Sequence, residues 1–137
     1  MKSEGVYELL QKTGQFCSEE IYGVYKLKAG MTNDSYRFSY LQKDYIIRIP
    51  GVGTEKLIDR RKEYDVYQKV QNYGFAEQIC YFDKYSGVKV SVLYSDSRTC
   101  DKENNDDVLR CMKALREFHE LELNVEHSFD LWERIEV

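Results

Sequence analysis

The segment YIIRIPGVGTEKLIDRRKEY, residues 45–64, constrains the fold of this chain more than any other stretch. It opens with an apolar run typical of a buried strand, yet that run ends in Arg48. The chain's single proline and a glycine then form a turn, and a helix beyond the turn carries Glu63. Any fold of this chain must therefore place a guanidinium at the end of a strand and a carboxylate on the helix that follows.

The periodicity of the whole sequence predicts one small mixed domain. Apolar residues alternate in five runs, as in strands, and recur at helical spacing in three others. The predicted elements are a helix over 3–12, strands over 21–28, 36–40 and 45–49, a helix over 57–73, strands over 79–82 and 88–93, and a helix over 106–121. The first three strands form an antiparallel meander in this prediction.

Turn and capping residues set the limits of these elements. By composition, residues 29–35 form a turn and residues 42–44 a tight connection between strands. Asp59 or Thr54 can cap the start of the second helix. Gly74 lies where a glycine that ends a helix belongs.

The C-terminal part begins with a polar linker over 95–106 and continues into the helix 106–121. His119 lies on the apolar side of this helix without a neighbouring nucleophile. We interpret it as a hydrogen-bonded structural residue of a core. A further amphipathic segment begins at residue 128.

Composition and charge argue against several classes of function. A net charge of -4 disfavours a nucleic-acid-binding protein, which would usually carry a basic face. The four cysteines form no CxxC pair and are accompanied by two histidines, so no metal site is expected. Without an apolar N-terminal region or a stretch of about 20 apolar residues, we expect a cytoplasmic protein with reduced thiols and no membrane contact.

The sequence GMTNDSY, residues 30–36, has the residue types of a phosphate-binding loop. A loop with Gly30, Thr32, Asn33 and Ser35 offers free backbone N–H groups together with hydroxyl and amide donors. The alternative is an ordinary hairpin turn, because the same residue types dominate turns for conformational reasons.

Arg48 and Glu63 form the second candidate feature. A carboxylate on the packed helix can approach the guanidinium to about 3 Å and orient it toward a bound phosphate. The alternative is a surface ion pair that contributes about 0–1 kcal/mol. The apolar residues before Arg48 favour an inward-facing guanidinium.

The strand VKVSVLY leads into the polar sequence SDSRT and forms a third, weaker feature. An extended segment that leaves a sheet edge exposes N–H and C=O groups, with which the edge of a purine could pair. Every strand ends somewhere, so the pattern alone has little specificity.

Five stretches taken in order carry a family resemblance: GMTNDSY, YIIRIPG, GTEKLIDRRKEY, ICYFD and LREFHE. Together they resemble the choline/ethanolamine kinase family, in particular its bacterial choline kinases. That family is grouped with the aminoglycoside-phosphotransferase and protein-kinase-like folds. The resemblance runs from about residue 22 to the end, and RIPGVGTEKLIDRRKE is its most specific part.

The resemblance implies an α+β fold of the protein-kinase-like N-lobe type. Its expected parts are a five-stranded antiparallel sheet with one packed helix, then one or two helices from the start of a large lobe. Residues 1–95 would form a nucleotide-binding small lobe. Residues 96–137 would form the hinge or linker and the first helices of an incomplete large lobe.

The resemblance also implies a function: transfer of the ATP γ-phosphate to the hydroxyl of choline or ethanolamine. The loop would cover the ATP phosphates, Arg48 would contact the α- and β-phosphates in place of a lysine, and Glu63 would hold Arg48. Residues after the last strand would form a hinge that reads adenine. The implied cofactor-binding residues are Thr32, Asn33, Ser35, Arg48, Glu63, Leu93 and Ser95.

Two further substrate and function classes stay open beside this one. A related phosphotransferase could act on an aminoglycoside, a sugar or homoserine. A non-catalytic α+β module could instead bind a partner, with the Arg48–Glu63 pair being structural.

The sequence contains no HxD motif and no DFG-like or IDW-like stretch. The resemblance therefore implies a truncated lobe without catalytic residues or Mg²⁺ ligands, both of which would lie in a missing C-terminal lobe together with the choline pocket. We expect this fragment to be inactive by itself. Apolar residues of the helix 106–121 and of the FDLW segment would then be exposed and favour self-association.

Overall fold

A computed structural model of the protein describes residues 3–27, 32–128 and Trp132. In chain order its helices and strands are α1 (Ser3–Lys12), β1 (Ile21–Lys26), β2 (Asn33–Tyr40), β3 (Lys43–Pro50), α2 (Arg60–Val70), β4 (Ile79–Phe82), β5 (Lys89–Val92) and α3 (Asn105–Glu120). The predicted α+β class is confirmed, and α1 and β4 have the predicted bounds.

The five strands form one antiparallel sheet in the order β1-β2-β3-β5-β4. The first three strands form the predicted meander, whereas β5 lies between β3 and β4. Strand β3 is therefore central, and its Arg48 lies directly between Ser35 of β2 and Lys89 of β5. Residues paired in this way present their side chains on the same face.

The hairpin between β2 and β3 differs from the prediction. Tyr40 pairs with Lys43, so the turn consists of Leu41 and Gln42, whose φ angles are 47° and 64°. Two successive left-handed residues are typical of the tightest hairpin turns, which usually contain Asn or Gly. The predicted connection at 42–44 is wrong because the turn residues do not carry that signal.

Strand β2 also begins earlier than predicted. Asn33 and Asp34 pair with Pro50 and Ile49, which extends the ladder into the predicted turn. The turn prediction is therefore wrong for residues 33–35, where pairing with β3 overrides local composition. Gly30 lies outside the described residues.

One face of the sheet carries the apolar core beneath helix α1. Ile47 of β3 pairs with Val90 of β5, and both side chains are fully buried. Phe16 packs edge-on against Phe38 with ring centroids 5.3 Å apart. Because side chains alternate along a strand, Arg48 points to the opposite face from Ile47. The buried apolar residues are Val6, Leu10, Phe16, Ile21, Tyr36, Phe38, Ile47, Val88 and Val90.

Helix α2 begins after a predicted capping residue, Asp59, whereas the predicted Gly74 ends the 3₁₀ turn that follows the helix. The Asp59 carboxylate accepts hydrogen bonds from the backbone N–H groups of Arg61 and Lys62 at 3.0 and 3.3 Å. A short 3₁₀ turn (Gln71–Tyr73) follows the helix and ends at Gly74, whose φ is 78°. The α-helix itself is thus shorter than predicted at both ends.

Helix α3 exposes much of its apolar side, with Leu109 67% exposed. Phe118 instead packs on Phe75, with ring centroids 5.5 Å apart. His119 is exposed, so its interpretation as a core residue is wrong. The segment from residue 128 falls almost wholly outside the described residues. In the part of the chain that the structure describes, no helix has the length and apolarity needed to span a bilayer.

We expect Phe38→Ala to lower the free energy of unfolding by about 3–5 kcal/mol, because it empties the centre of the core. Urea denaturation followed by circular dichroism measures this change. Leu109→Ala is the control, since an exposed helix position should change stability by no more than about 0.5 kcal/mol. Equal effects of the two substitutions would contradict the core assignment.

Candidate functional site

Arg48 and Glu63 meet between the sheet and helix α2. One terminal nitrogen of Arg48, Nη1, donates to Glu63 Oε1, and the other, Nη2, donates to the carbonyl oxygen of Gly87 at 3.0 Å. The guanidinium also lies over the Phe82 ring, 5.5 Å from its centroid. The side chains of Arg48 and Glu63 are only 11% and 20% exposed. This is a largely buried pair and not the surface ion pair of the alternative interpretation.

A second guanidinium shares the same carboxylate. Arg60 Nη1 donates to Glu63 Oε2 at 2.7 Å, and its Nη2 donates to Asn33 Oδ1 at 3.1 Å and to Thr54 Oγ1 at 3.3 Å. The Arg60 side chain is only 6% exposed. Arg60 is not among the site residues predicted from the sequence. Its spacing of three residues from Glu63 on a helix was the available signal.

The two guanidinium groups keep Glu63 ionised. Burial by itself raises the pKa of the Glu63 carboxyl, but the hydrogen bonds from Arg48 and Arg60 outweigh burial and hold the pKa below its ordinary value. Two positive groups on one carboxylate leave a net charge of +1 at this point of the sheet. Such a site favours an anionic ligand.

The structure brings three of the predicted loop residues to the same edge of the sheet. Ser35 lies directly opposite Arg48 on the neighbouring strand. The Thr32 carbonyl oxygen accepts from the Gly51 N–H at 2.9 Å, and Asn33 Nδ2 donates to Thr32 Oγ1 at 3.1 Å. The described end of the loop is therefore fixed against the turn that follows β3.

Leu93 and Ser95, the two predicted hinge residues, lie just beyond β5. The Leu93 N–H donates to the Asp44 carbonyl oxygen at 2.9 Å, so it is not free for a ligand. Among the described residues, neither the Leu93 carbonyl nor the Ser95 N–H takes part in a backbone hydrogen bond. Both groups could pair with the edge of a purine.

A second buried ion cluster, which the sequence did not predict, lies beside Arg48. Lys89, whose side chain is 7% exposed, donates to Glu77 and to the Tyr67 hydroxyl, the latter at 3.1 Å. Ser91 Oγ donates to the other Glu77 oxygen at 3.1 Å. Burial raises the pKa of Glu77, but the hydrogen bonds, first that of Lys89, leave it below its ordinary value.

The cavity that borders Glu63 does not include Arg48. It has a volume of about 300 Å³ and lies along helix α2. Its lining residues are Ile58, Asp59, Lys62, Glu63, Val66, His127 and Ser128. The cavity therefore borders Glu63 at a place away from its contact with Arg48.

The sheet order places this domain in a known fold class. A five-stranded antiparallel sheet with helices in this arrangement is the fold of the small lobe of kinase-like phosphotransferases, and solved structures of such proteins match it. Choline kinase LicA from Streptococcus pneumoniae is similar, with 30% identity, a TM-score of 0.60, and coverage of 72% of this chain and 34% of that chain. The chain is therefore similar to one part of a choline/ethanolamine kinase, as its motifs predicted.

Two further structures support the same assignment of fold. LicA in complex with AMP matches with 28% identity and a TM-score of 0.62 over 80% of this chain and 39% of that chain. A choline/ethanolamine kinase family protein from Mesorhizobium loti shares the fold at 21% identity and a TM-score of 0.63, over 91% of this chain and 40% of its own. The chain thus spans only about a third to two fifths of these proteins. No protein-family model and no curated protein matches the sequence.

A substitution at Gly87 tests how tightly the cluster of Arg48, Glu63 and Arg60 is packed. Its φ is 78°, and an added Cβ would lie 2.6 Å from Arg60 Cδ. We expect Gly87→Ala to lower the free energy of unfolding by about 2–4 kcal/mol, from backbone strain and overpacking together.

Gly74→Ala is the matched control for this substitution. Gly74 has the same φ of 78°, but an added Cβ there meets nothing within 4 Å. It should lose only the backbone contribution of about 1–2 kcal/mol. Urea denaturation of both variants gives the difference, and equal losses would show that Arg60 does not occupy the described position.

The lowered pKa of Glu63 predicts a pH-dependent contribution to stability. The native carboxyl binds a proton less readily than the unfolded one, so Glu63 stabilises the fold above about pH 4.5, the ordinary glutamate value, and this contribution is lost as pH falls through the native pKa. We expect Glu63→Gln to lower the free energy of unfolding by about 2–3 kcal/mol at pH 7 and by progressively less below pH 4.5.

Urea midpoints measured from pH 7 to pH 3 for wild type and Glu63→Gln test this expectation. Glu55→Gln, a change to an exposed carboxylate, is the control and should follow the wild type at every pH. A difference in urea midpoint between wild type and Glu63→Gln that stays constant from pH 7 to pH 3 would contradict the lowered pKa of Glu63.

Proposed function

We propose that this chain forms the ATP-binding small lobe of a small-molecule kinase that transfers the γ-phosphate of ATP to the hydroxyl of choline or ethanolamine. The observation that carries the proposal is the buried Arg48 guanidinium, held by Glu63 on the polar face of the sheet. Similarity to LicA, one structure of which contains AMP, supports nucleotide binding, and the name of that kinase supports choline as the acceptor.

Arg48 fits an anionic oxygen. Its Nε is buried and has no hydrogen-bond partner among the described residues, while Nη1 and Nη2 are held by Glu63 and Gly87. Nη1 and Nη2 each keep a second N–H, and a ligand oxygen that accepts from one of them gains a charge-assisted hydrogen bond. In this proposal Arg48 binds the α- and β-phosphates, and Glu63 fixes its rotamer.

The remaining predicted residues take roles at the two ends of the nucleotide. On the phosphate side, Thr32 and Ser35 contribute their hydroxyl groups, and the Asn33 amide holds the Thr32 hydroxyl by donating to it. On the adenine side, the Leu93 carbonyl accepts from the base and the Ser95 N–H donates to it. Residues 1–95 are then the nucleotide-binding lobe, and residues 96–137 the linker and the first helices of the second lobe.

Phosphoryl transfer also uses Mg²⁺, which neutralises charge on the phosphates when it is bound. In the described part of the chain, no group of three His, Cys, Asp or Glu side chains could hold a metal ion. We therefore assign none of the described residues to Mg²⁺. The four free cysteines fit the cytoplasmic location that an ATP-dependent enzyme of small molecules would have.

Titration of the protein with ATP tests the proposal. We expect saturable binding by the wild type and an affinity at least about tenfold weaker for Arg48→Met, since a hydrogen bond to a charged group contributes about 1.5–3 kcal/mol. Glu63 keeps Arg60 as a partner in this variant, so the fold should persist, and circular dichroism checks it.

Arg116→Met is the matched control, because Arg116 forms an exposed ion pair with Glu120 on α3. It should bind ATP as the wild type does. Absence of ATP binding by the wild type would favour the non-catalytic binding module. Unchanged affinity in Arg48→Met would reject the phosphate-binding role of this guanidinium.

A further inference from the structure

Arg60 joins four separate segments of the chain at the edge of the proposed nucleotide site. Its guanidinium donates to Asn33 at the start of β2, to Thr54 after the turn, and to Glu63 on α2. Its aliphatic part lies against Gly87, where any Cβ would collide with it. No other described guanidinium contacts both the loop end and Glu63.

The position of Arg60 is unfavourable for the helix itself. It is the first residue of α2, where the positive end of the helix dipole disfavours a cation. Its side chain is buried, and its Nε has no hydrogen-bond partner among the described residues. Its contacts beyond the helix must therefore account for its placement.

The contacts of Arg60 form a relay to a hydroxyl group. Arg60 donates to Asn33 Oδ1, which fixes the orientation of the Asn33 amide, and Asn33 Nδ2 then donates to Thr32 Oγ1. The Thr32 hydroxyl accepts this bond, so its own hydrogen stays available to donate. At its other end Arg60 holds one oxygen of Glu63 while Arg48 takes the other.

We propose that Arg60 is a positioning residue that sets the Thr32 hydroxyl and the Arg48 guanidinium in one fixed arrangement for the phosphates of the nucleotide. The inference rests on the proposed function, because it assumes that phosphate binds between these groups. This role requires a planar guanidinium, because one group must donate hydrogen bonds to the Asn33 amide and to the Glu63 carboxylate at the same time. Arg60 itself does not touch the nucleotide in this arrangement.

The proposal predicts an effect that depends on the phosphates of the ligand. We expect Arg60→Met to weaken ATP binding about tenfold and to change adenosine binding by less than about twofold, because adenosine has no phosphate to position. Arg60→Lys should recover little of the loss, because an ammonium keeps the charge without the fork. Arg61→Met, which alters the exposed neighbouring arginine, should leave both affinities unchanged.

Calorimetric titrations of wild type and variants with ATP and with adenosine provide the test, with folding checked by thermal denaturation. Asn33→Ala interrupts the same relay without removing a buried charge, and it should show the same ATP-selective loss even if Arg60→Met does not fold. Equal losses for ATP and adenosine, or full recovery in Arg60→Lys, would overturn the proposal.

The outcome also separates this inference from the function on which it rests. Loss of ATP affinity in Arg48→Met together with normal affinity in Arg60→Met and Asn33→Ala would overturn the role of Arg60 and leave the proposed function intact. Absence of ATP binding by the wild type would overturn both.

Discussion

A single carboxylate shared by two guanidinium groups connects the sheet, the helix and the loop of this domain. Glu63 receives Arg48 on one oxygen and Arg60 on the other, in a place where its side chain is mostly buried. A buried carboxylate with one partner would be poorly compensated, whereas two partners outweigh its desolvation, as its lowered pKa indicates. Such a cluster adds little net stability, but it fixes the position of α2 relative to β3.

One face of the sheet contributes stability, and the other carries the proposed binding site. Helix α1 and Phe16 cover an apolar face around Ile47 and Phe38, and this face supplies the hydrophobic core. The opposite face carries Arg48 and, directly beside it, Lys89, and these two cations contact different carboxylates, Glu63 and Glu77. A small domain that keeps buried charges on one face needs a strong core on the other, and the proposed nucleotide site uses the charged face.

Much of the fold followed from local patterns, and the errors have local causes. The ends of α1 and β4, the Asp59 cap and the position of Gly74 were predicted, because period and capping chemistry specify them. The β2–β3 turn was misplaced because Leu41 and Gln42 adopt left-handed conformations without the usual residue types. Of the site, the Arg48–Glu63 contact was predicted from an apolar strand that ends in a cation.

The sequence by itself determined the order of strands and helices along the chain, the family resemblance and the contact between Arg48 and Glu63. Each of these depends on residues near one another in the chain. Only the tertiary structure revealed that Arg60 is buried against Asn33, 27 residues earlier in the chain, and that Lys89 reaches Glu77. These contacts depend on strand pairing and on the space left by Gly87, which bring distant segments together. The spacing of three residues between Arg60 and Glu63 indicates that they can pair, but it does not predict that Arg60 is buried while the neighbouring Arg61 is exposed.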